Sequence, residues 1–495
     1  MNVADILTGC ASHYATKPLF LHPAESDGYR EFADGVSRLT SALVLMGAKR
    51  GTRVVLLAGN HPQWLACFFA TVATGAAAVP INPALAAPEV RTIIAHCEPV
   101  IAIAQEEFVP LLQGTGCQMA HCILGSSGIV QWRHIAPSNM EQRAEMQADD
   151  PALIYYTSGT TGKPKGVVLN HGAVLFGTKM FARHLQISPS DRSLVTGSMA
   201  FILHLILNVL SSMTGGAGIV LLDRFHPELA VEAIERHKVT LLMAVPTAYV
   251  MMLNWLEENR SYDISSIRCA ITAGASFPAA LYQRARQRLG FPVFDLWGMT
   301  ECAPMTTYDP AIDREGRLDS CGRPLPESHI RIVDDGLHDL AVGEVGEVLL
   351  RSPAMMSGYF RNPQATAETV VDGWIRSGDL GKVDRDGFLY IVGRKKDLII
   401  RGAANIYPVD VEEVLYAHPA VGECAVVGVP DEIFGETVKA FVVLKNGTLA
   451  TADELLEHCR RNIAEYKVPS RIEFAASLPK GATGKILRRA LWAAS

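Results

Sequence analysis

Through about residue 390 the chain alternates short runs of Val, Ile and Leu with stretches whose apolar residues recur at helical spacing. That alternation admits few folds, because parallel strands need crossover connections and the crossover helices then cover the sheet faces. Residues 54–58, 62–74 and 78–81 read as strand, helix and strand; 229–237 and 240–245 read as a further helix and strand, the latter ended by Pro246. After Gly322 the strands are punctuated by Gly and Asp, at 330–333, 346–351 and 388–392, which predicts a small antiparallel subdomain. Beyond it, a helix over 409–418, strands over 423–429 and 438–444 and a helix over 452–465 make an α+β unit long enough to hold its own core. The expected fold class is α/β: a large N-terminal portion of layered α/β subdomains plus a small antiparallel subdomain, followed by a small α+β C-terminal domain.

At 495 residues the chain exceeds one comfortable core, so it is expected to divide into two to four domains. With 49% apolar and 19% charged residues it is neither disordered nor fibrous. The net charge of −6, without a basic stripe, argues against nucleic acid and anionic membrane as partners and favours small molecules. Between Arg53 and Glu89 lie 35 residues without Asp, Glu, Lys or Arg, but Gly59, Pro62, Gly75, Pro80 and Pro83 break the run. It reads as strands and a helix inside a buried layer, with no integral membrane segment. Leu7-Thr8-Gly9-Cys10 resembles a lipoprotein cleavage site, yet Asp5 interrupts the preceding stretch and no basic residue precedes it, so an ordinary cytoplasmic N-terminus is expected. The ten cysteines are scattered, with no C-x-x-C and no zinc spacing, which fits reduced thiols in the cytoplasm.

Tyr156-Thr157-Ser158-Gly159-Thr160-Thr161-Gly162-Lys163-Pro164-Lys165-Gly166 follows an apolar strand at 152–155. Small hydroxyl side chains and bare backbone N–H groups wrap a polyphosphate closely, and lysines neutralise it. The string is not a Walker A loop, because Pro164 stands where Ser or Thr is required and no glycine precedes Gly162 at the right spacing. It closely resembles the signature of the adenylate-forming superfamily, which includes AMP-forming acyl- and aryl-CoA synthetases, nonribosomal adenylation domains and beetle luciferases. Four further matches recur in family order: Trp297-Gly298-Met299-Thr300-Glu301, Trp374-Ile375-Arg376-Ser377-Gly378-Asp379, Gly393-Arg394-Lys395-Lys396-Asp397 and Pro479-Lys480-Gly481-Ala482-Thr483-Gly484-Lys485.

The resemblance implies that a carboxylate is joined to the α-phosphate of ATP, pyrophosphate leaves, and the acyl group passes to a thiol. By that resemblance Thr157, Ser158, Gly159, Thr160, Thr161 and Lys165 hold phosphate, and Glu301 holds Mg²⁺ with Thr300 supporting the same geometry. Trp297 belongs to the nucleotide site; Asp379 accepts the ribose hydroxyls and Arg394 donates in the same region. Lys485 is the expected adenylation catalyst, an ammonium that offsets repulsion between carboxylate and phosphate. The resemblance divides the chain into residues 1–395 and a mobile domain of 397–495, which turns about Lys396 between half-reactions and brings in the loop from Arg401 and Gly402 to Ile406.

Coenzyme A is the expected acceptor, because Gly428-Val429-Pro430-Asp431-Glu432-Ile433-Phe434-Gly435-Glu436 is similar to the CoA-ligase version of this segment, with Phe434 where an aromatic ring stacks near adenine. Ala403 replaces the second glycine of the usual inserting loop, which keeps an acyl-carrier-protein ligase as an alternative, beside a non-catalytic nucleotide or acyl sensor. In the acyl pocket an ungapped reading puts Phe201 where many relatives have His; a slip of three would put His204 there, and a core helix over 199–210 accounts for both equally. Family analogy adds Met180, Met243, Ala273, Gly274, Gly298, Cys302 and Ala303 as walls. None is charged, so a neutral fatty or aromatic monocarboxylate is expected and dicarboxylic or α-amino acids are not. The oligomeric state, monomer or homodimer, stays open.

Overall fold

The computed structural model describes residues 2–21, 28–115, 122–124, 144–157, 164–259, 262–275, 277–309, 312–313, 317, 319–402, 404–445, 447–481 and 486–493. Four sheets organise them, two of seven strands and two of five. In the first, Arg53–Leu57, Ala77–Pro80, Ile101–Gln105, Cys122–Leu124 and Pro151–Thr157 run parallel; Lys165–Asn170 and Gly358–Tyr359 close one edge antiparallel. In the second, Arg192–Val195, Gly218–Leu221, Leu241–Ala244, Cys269–Ala273 and Val293–Met299 run parallel, and Cys302–Thr307 and Arg323–Pro324 add antiparallel strands.

One apolar core joins these two sheets. Val54, Leu56, Leu153 and Tyr155 of the first share it with Val195, Ile219, Met243 and Ile271 of the second. The helix Pro62–Ala73 lies in the same core, with Trp64, Leu65, Phe68 and Phe69 buried. The charge-free run is thus explained: a helix enclosed on all sides has no face on which a charge could stay hydrated. His61 starts it by accepting from the Gln63 N–H, and Pro62 sits where its missing donor costs nothing.

The antiparallel subdomain pairs His329–Val333, Gly346–Arg351, Trp374–Val383 and Leu389–Arg394. The C-terminal sheet is built from Ile399–Arg401, Ala404–Ile406, Val421–Asp431, Gly435–Leu444 and Arg471–Phe474, over a separate core of Val411, Leu415, Val426, Val438 and Leu455. Its helix Pro408–Ala417 rests on the helix Ala279–Leu289 and on the strand Leu389–Arg394.

Two expected helices differ from the structure. The one read over 199–210 begins later, as a π-helix Leu203–Leu210 continued by Ser211–Thr214. Met199 lies before its start, and its N–H donates to Asn60 Oδ1 (2.9 Å). The one read to 465 ends at Asn462, where Ile463 turns extended and a 3₁₀ turn Glu465–Lys467 follows.

Gly322 joins the second sheet to the subdomain: its carbonyl accepts from the Leu389 N–H (2.8 Å) at φ +85°, and a Cβ there would overlap the Thr307 backbone. Gly322→Ala should lower stability by about 1–3 kcal/mol from backbone conformation alone, with the overlap adding to it. A thermal midpoint equal to the wild type's would refute this.

Candidate active site

Strands Pro151–Thr157 and Lys165–Asn170 form a hairpin in which Thr157 and Lys165 are register partners, so they flank the mouth of the phosphate string. Ser158, Gly159, Thr160 and Thr161 lie outside the described residues, as do Ala403 and Lys485.

Across from this hairpin, Thr300 and Glu301 occupy the turn between Val293–Met299 and Cys302–Thr307. Glu301 is buried, and its Oε1 accepts from the Tyr359 hydroxyl at 2.7 Å. Tyr359 is held in turn on the strand beside Lys165, whose ammonium lies 4.9 Å from its ring centroid. The segment carrying Tyr359 contacts both sheets: Met355 bridges Cys302, the Met356 N–H donates to the Glu301 carbonyl (2.8 Å), and the Phe360 N–H donates to the Gly166 carbonyl (2.7 Å). Sequence reasoning missed Tyr359. The signal available was a Gly-Tyr pair after a flexible Met-Ser, which by itself says little.

Among the described residues no three His, Cys, Asp or Glu side chains gather as a metal cluster. A single buried carboxylate, without a cationic partner among those residues, still fits Mg²⁺, which takes most of its ligands from phosphate and water.

Asp379 is also buried and joins two motifs. Its Oδ2 accepts from Trp297 Nε1 (2.9 Å), and its Oδ1 faces Arg394 Nε (3.1 Å) on the neighbouring strand, where Asp379 and Arg394 are register partners. Arg394 is largely exposed, so it can move to a ligand that shares the carboxylate. Asp295, two residues before Trp297, went unnoticed in the sequence; burial pushes its carboxyl up to about 7.

Of the wall positions, Met180, Met243, Ala273 and Cys302 share the central core, and Ala303 is buried beside Gly177 of the helix His171–His184. Gly274 follows Ala273 at φ +93°, and a Cβ at Gly298 would meet the Cys302 carbonyl at 3.4 Å. Phe201 is half-buried and His204 buried in the π-helix. The imidazole packs on Gly197, where a Cβ would overlap it, and the adjacent Thr196 hydroxyl donates to the Met243 carbonyl (2.9 Å). His204 Nδ1 has no hydrogen-bond partner among the described residues, and burial pushes its pKa down to about 4, so the ring is neutral at pH 7.

In the C-terminal unit the Gly402 N–H donates to the Phe434 carbonyl (2.7 Å), and the Arg401 guanidinium covers the half-exposed Phe434 ring at 4.7 Å. Lys396 is exposed in the turn Lys395–Asp397.

The model of AMP-binding enzymes matches residues 10–360, and that of the AMP-binding enzyme C-terminal domain matches 410–485. The indoleacetate–CoA ligase of Aromatoleum aromaticum is 34% identical over 94% of this chain and 92% of its own length. The anthranilate CoA ligase AuaEII in complex with anthranoyl-AMP superposes with a TM-score of 0.93, at 31% identity over 100% of this chain and 97% of that one. The o-succinylbenzoate coenzyme A synthetase of Bacillus subtilis, in complex with ATP and magnesium ion, superposes at 0.87, with 31% identity over 98% of each chain. The chain belongs to the AMP-binding enzymes of the adenylate-forming superfamily. Within that superfamily it is an AMP-forming acyl-CoA synthetase, with ATP, Mg²⁺ and CoA as its cofactors.

Trp297→Phe keeps an aromatic side chain but removes the indole N–H that holds Asp379, together with the five-membered half of the ring. ATP affinity measured by calorimetry should fall ~10-fold, the worth of a hydrogen bond to a charged group; an unchanged Kd would show that Asp379 needs no such support.

Proposed function

We propose that the acid activated is an uncharged monocarboxylate, with aromatic acids the first to test, and that the residues named above carry the two half-reactions. The observation that carries the substrate class is the wall itself: Met180, Met243, Ala273, Cys302 and Ala303 are buried and apolar, and the imidazole beside them is neutral. A second carboxylate or an ammonium on the acid would meet no counter-charge there. The aromatic acids named for the indoleacetate and anthranilate ligases support the same class. Flexible Met180 and Met243 would also fit a straight chain, so the panel includes fatty acids.

In the first half-reaction a carboxylate oxygen attacks the α-phosphorus of ATP, and the bond to the β-phosphate oxygen breaks with release of pyrophosphate. Thr157 and Lys165 meet the phosphates at the hairpin mouth, and Asp379 with Arg394 takes the ribose. Glu301 and Thr300 would hold Mg²⁺, which when bound neutralises the phosphate oxygens. Lys485 would place its ammonium between the two anions. In the second half-reaction the thiol sulfur attacks the acyl carbon, the carbon–oxygen bond to AMP breaks, and the thiol proton leaves to solvent. Phe434 and Gly402 would face the acceptor's nucleotide and pantetheine. A carrier protein would present the same arm without that nucleotide, and assaying holo-carrier proteins beside free CoA tests whether one serves as a further acceptor. Cys10, Cys269, Cys302, Cys321, Cys424 and Cys459 are buried free thiols, which supports a reducing, cytoplasmic location.

Pyrophosphate release dependent on ATP, Mg²⁺ and an acid panel tests the substrate class; preference for a dicarboxylic acid would overturn it. Lys485→Ala should cut acyl-AMP formation by ~10²- to 10³-fold and spare thioester formation from supplied acyl-AMP. Equal loss in both half-reactions would remove Lys485 from the adenylation role. Lys396→Pro should leave adenylation measurable and stall thioester formation, since proline fixes the backbone angle a hinge must change; unchanged overall turnover would exclude this hinge.

A further inference from the structure

Tyr359 touches a group from each of the two large sheets. Its hydroxyl donates to Glu301 Oε1 at 2.7 Å, and its ring lies 4.9 Å beneath the Lys165 ammonium. We propose that Tyr359 is a positioning residue for adenylation: it orients the Glu301 carboxylate that would hold Mg²⁺ and seats Lys165 at the mouth of the phosphate string. This rests on the reading of Glu301 as the magnesium carboxylate.

Tyr359 is itself held on several sides. It pairs with Val167, its N–H donates to Thr366 Oγ1 (2.9 Å), and Gly358 before it adopts φ +142° with its α-carbon against Thr366. Thr366 stands on the helix Pro363–Thr369, whose Asn362 cap accepts from the Ala365 N–H. A carboxylate ordered before the metal arrives loses no freedom on binding it, which is the advantage of preorganisation. The ring adds a quadrupole attraction for the Lys165 ammonium. A tyrosine that only filled space would need no acid at its hydroxyl.

The two contacts separate by substitution. Tyr359→Phe keeps the ring and loses the hydroxyl; Tyr359→Leu loses both. ATP binding to the full chain, without acid, is measured by calorimetry across a Mg²⁺ series, beside Glu301→Gln. For Tyr359→Phe the Mg²⁺ concentration giving half the metal-dependent gain in ATP affinity should rise ~10-fold, while metal-free affinity stays unchanged. Tyr359→Leu should also weaken metal-free binding ~3-fold. In steady state Tyr359→Phe should raise KM for MgATP more than it lowers kcat. Wild-type metal dependence in Tyr359→Phe, or a uniform loss of kcat with KM unmoved, overturns the proposal. Glu301→Gln then tells the two failures apart: if it raises the Mg²⁺ requirement, only the role of Tyr359 falls, and if it does not, the reading of Glu301 falls as well. Should Tyr359→Leu fail to fold, Tyr359→Phe carries the test alone.

Discussion

The backbone bonds that residues 355–360 make to both large sheets are what keep the two halves of the site in register. Lys165 belongs to one sheet and Glu301 to the edge of the other, and the apolar core between the sheets is non-directional. Buried surface holds the layers together without fixing one edge against another. Hydrogen bonds do fix it, because they weaken steeply with distance and angle. The Met356 N–H on the Glu301 carbonyl, the Ser357 N–H on the Val168 carbonyl and the Phe360 N–H on the Gly166 carbonyl form one continuous strap, each bond 2.7–2.8 Å long. Joining a carboxylate to a polyphosphate depends on cations set in place beforehand, so this registration counts directly toward the chemistry.

The enclosed helix Pro62–Ala73 has a matching role in the body. Its Asn60 neighbour reaches the second sheet's loops, donating to the Gly197 and Leu222 carbonyls at 2.8 and 3.1 Å and accepting from Met199. The same Gly197 leaves room for His204. One polar side chain at the mouth of an apolar helix thus ties the first sheet's core to the loop carrying Gly197 and Met199, just before the π-helix. The wide turn of a π-helix commonly marks a functional site.

Much of this was legible in the sequence because it is local. Strand and helix alternation, the hydroxyl-rich string and the Trp297–Glu301 turn each sit within a dozen residues, and chemistry constrains them by type and spacing. Tyr359 was not legible: its partner Glu301 is 58 positions away, and no short pattern records that pairing. The contact of Asn60 with Met199 was not legible for the same reason, since the two lie 139 positions apart. Buried carboxylates were hidden too. Glu347 lies in the expected strand 346–351 with no local pattern to mark its burial, yet it is buried between Arg376 (2.6 Å) and Lys395 (3.4 Å).

That buried carboxylate bears on where the chain can turn. Burial alone would raise its pKa, but Arg376 and Lys395 outweigh it and hold the group below its usual value. Breaking such a pair is costly, because it strands a charge away from water. Lys395, tied to Asp335 as well, therefore belongs to the body, whereas the next residue, Lys396, is exposed and the strand Ile399–Arg401 already belongs to the C-terminal sheet. The hinge proposed at Lys396 falls in the short stretch between them. A rotation there would leave Asp379, Trp297 and Arg394 together on the body side and exchange only what the C-terminal unit presents to them. The nucleotide contacts would then persist through both half-reactions, which is what a site serving two chemistries on one bound AMP requires.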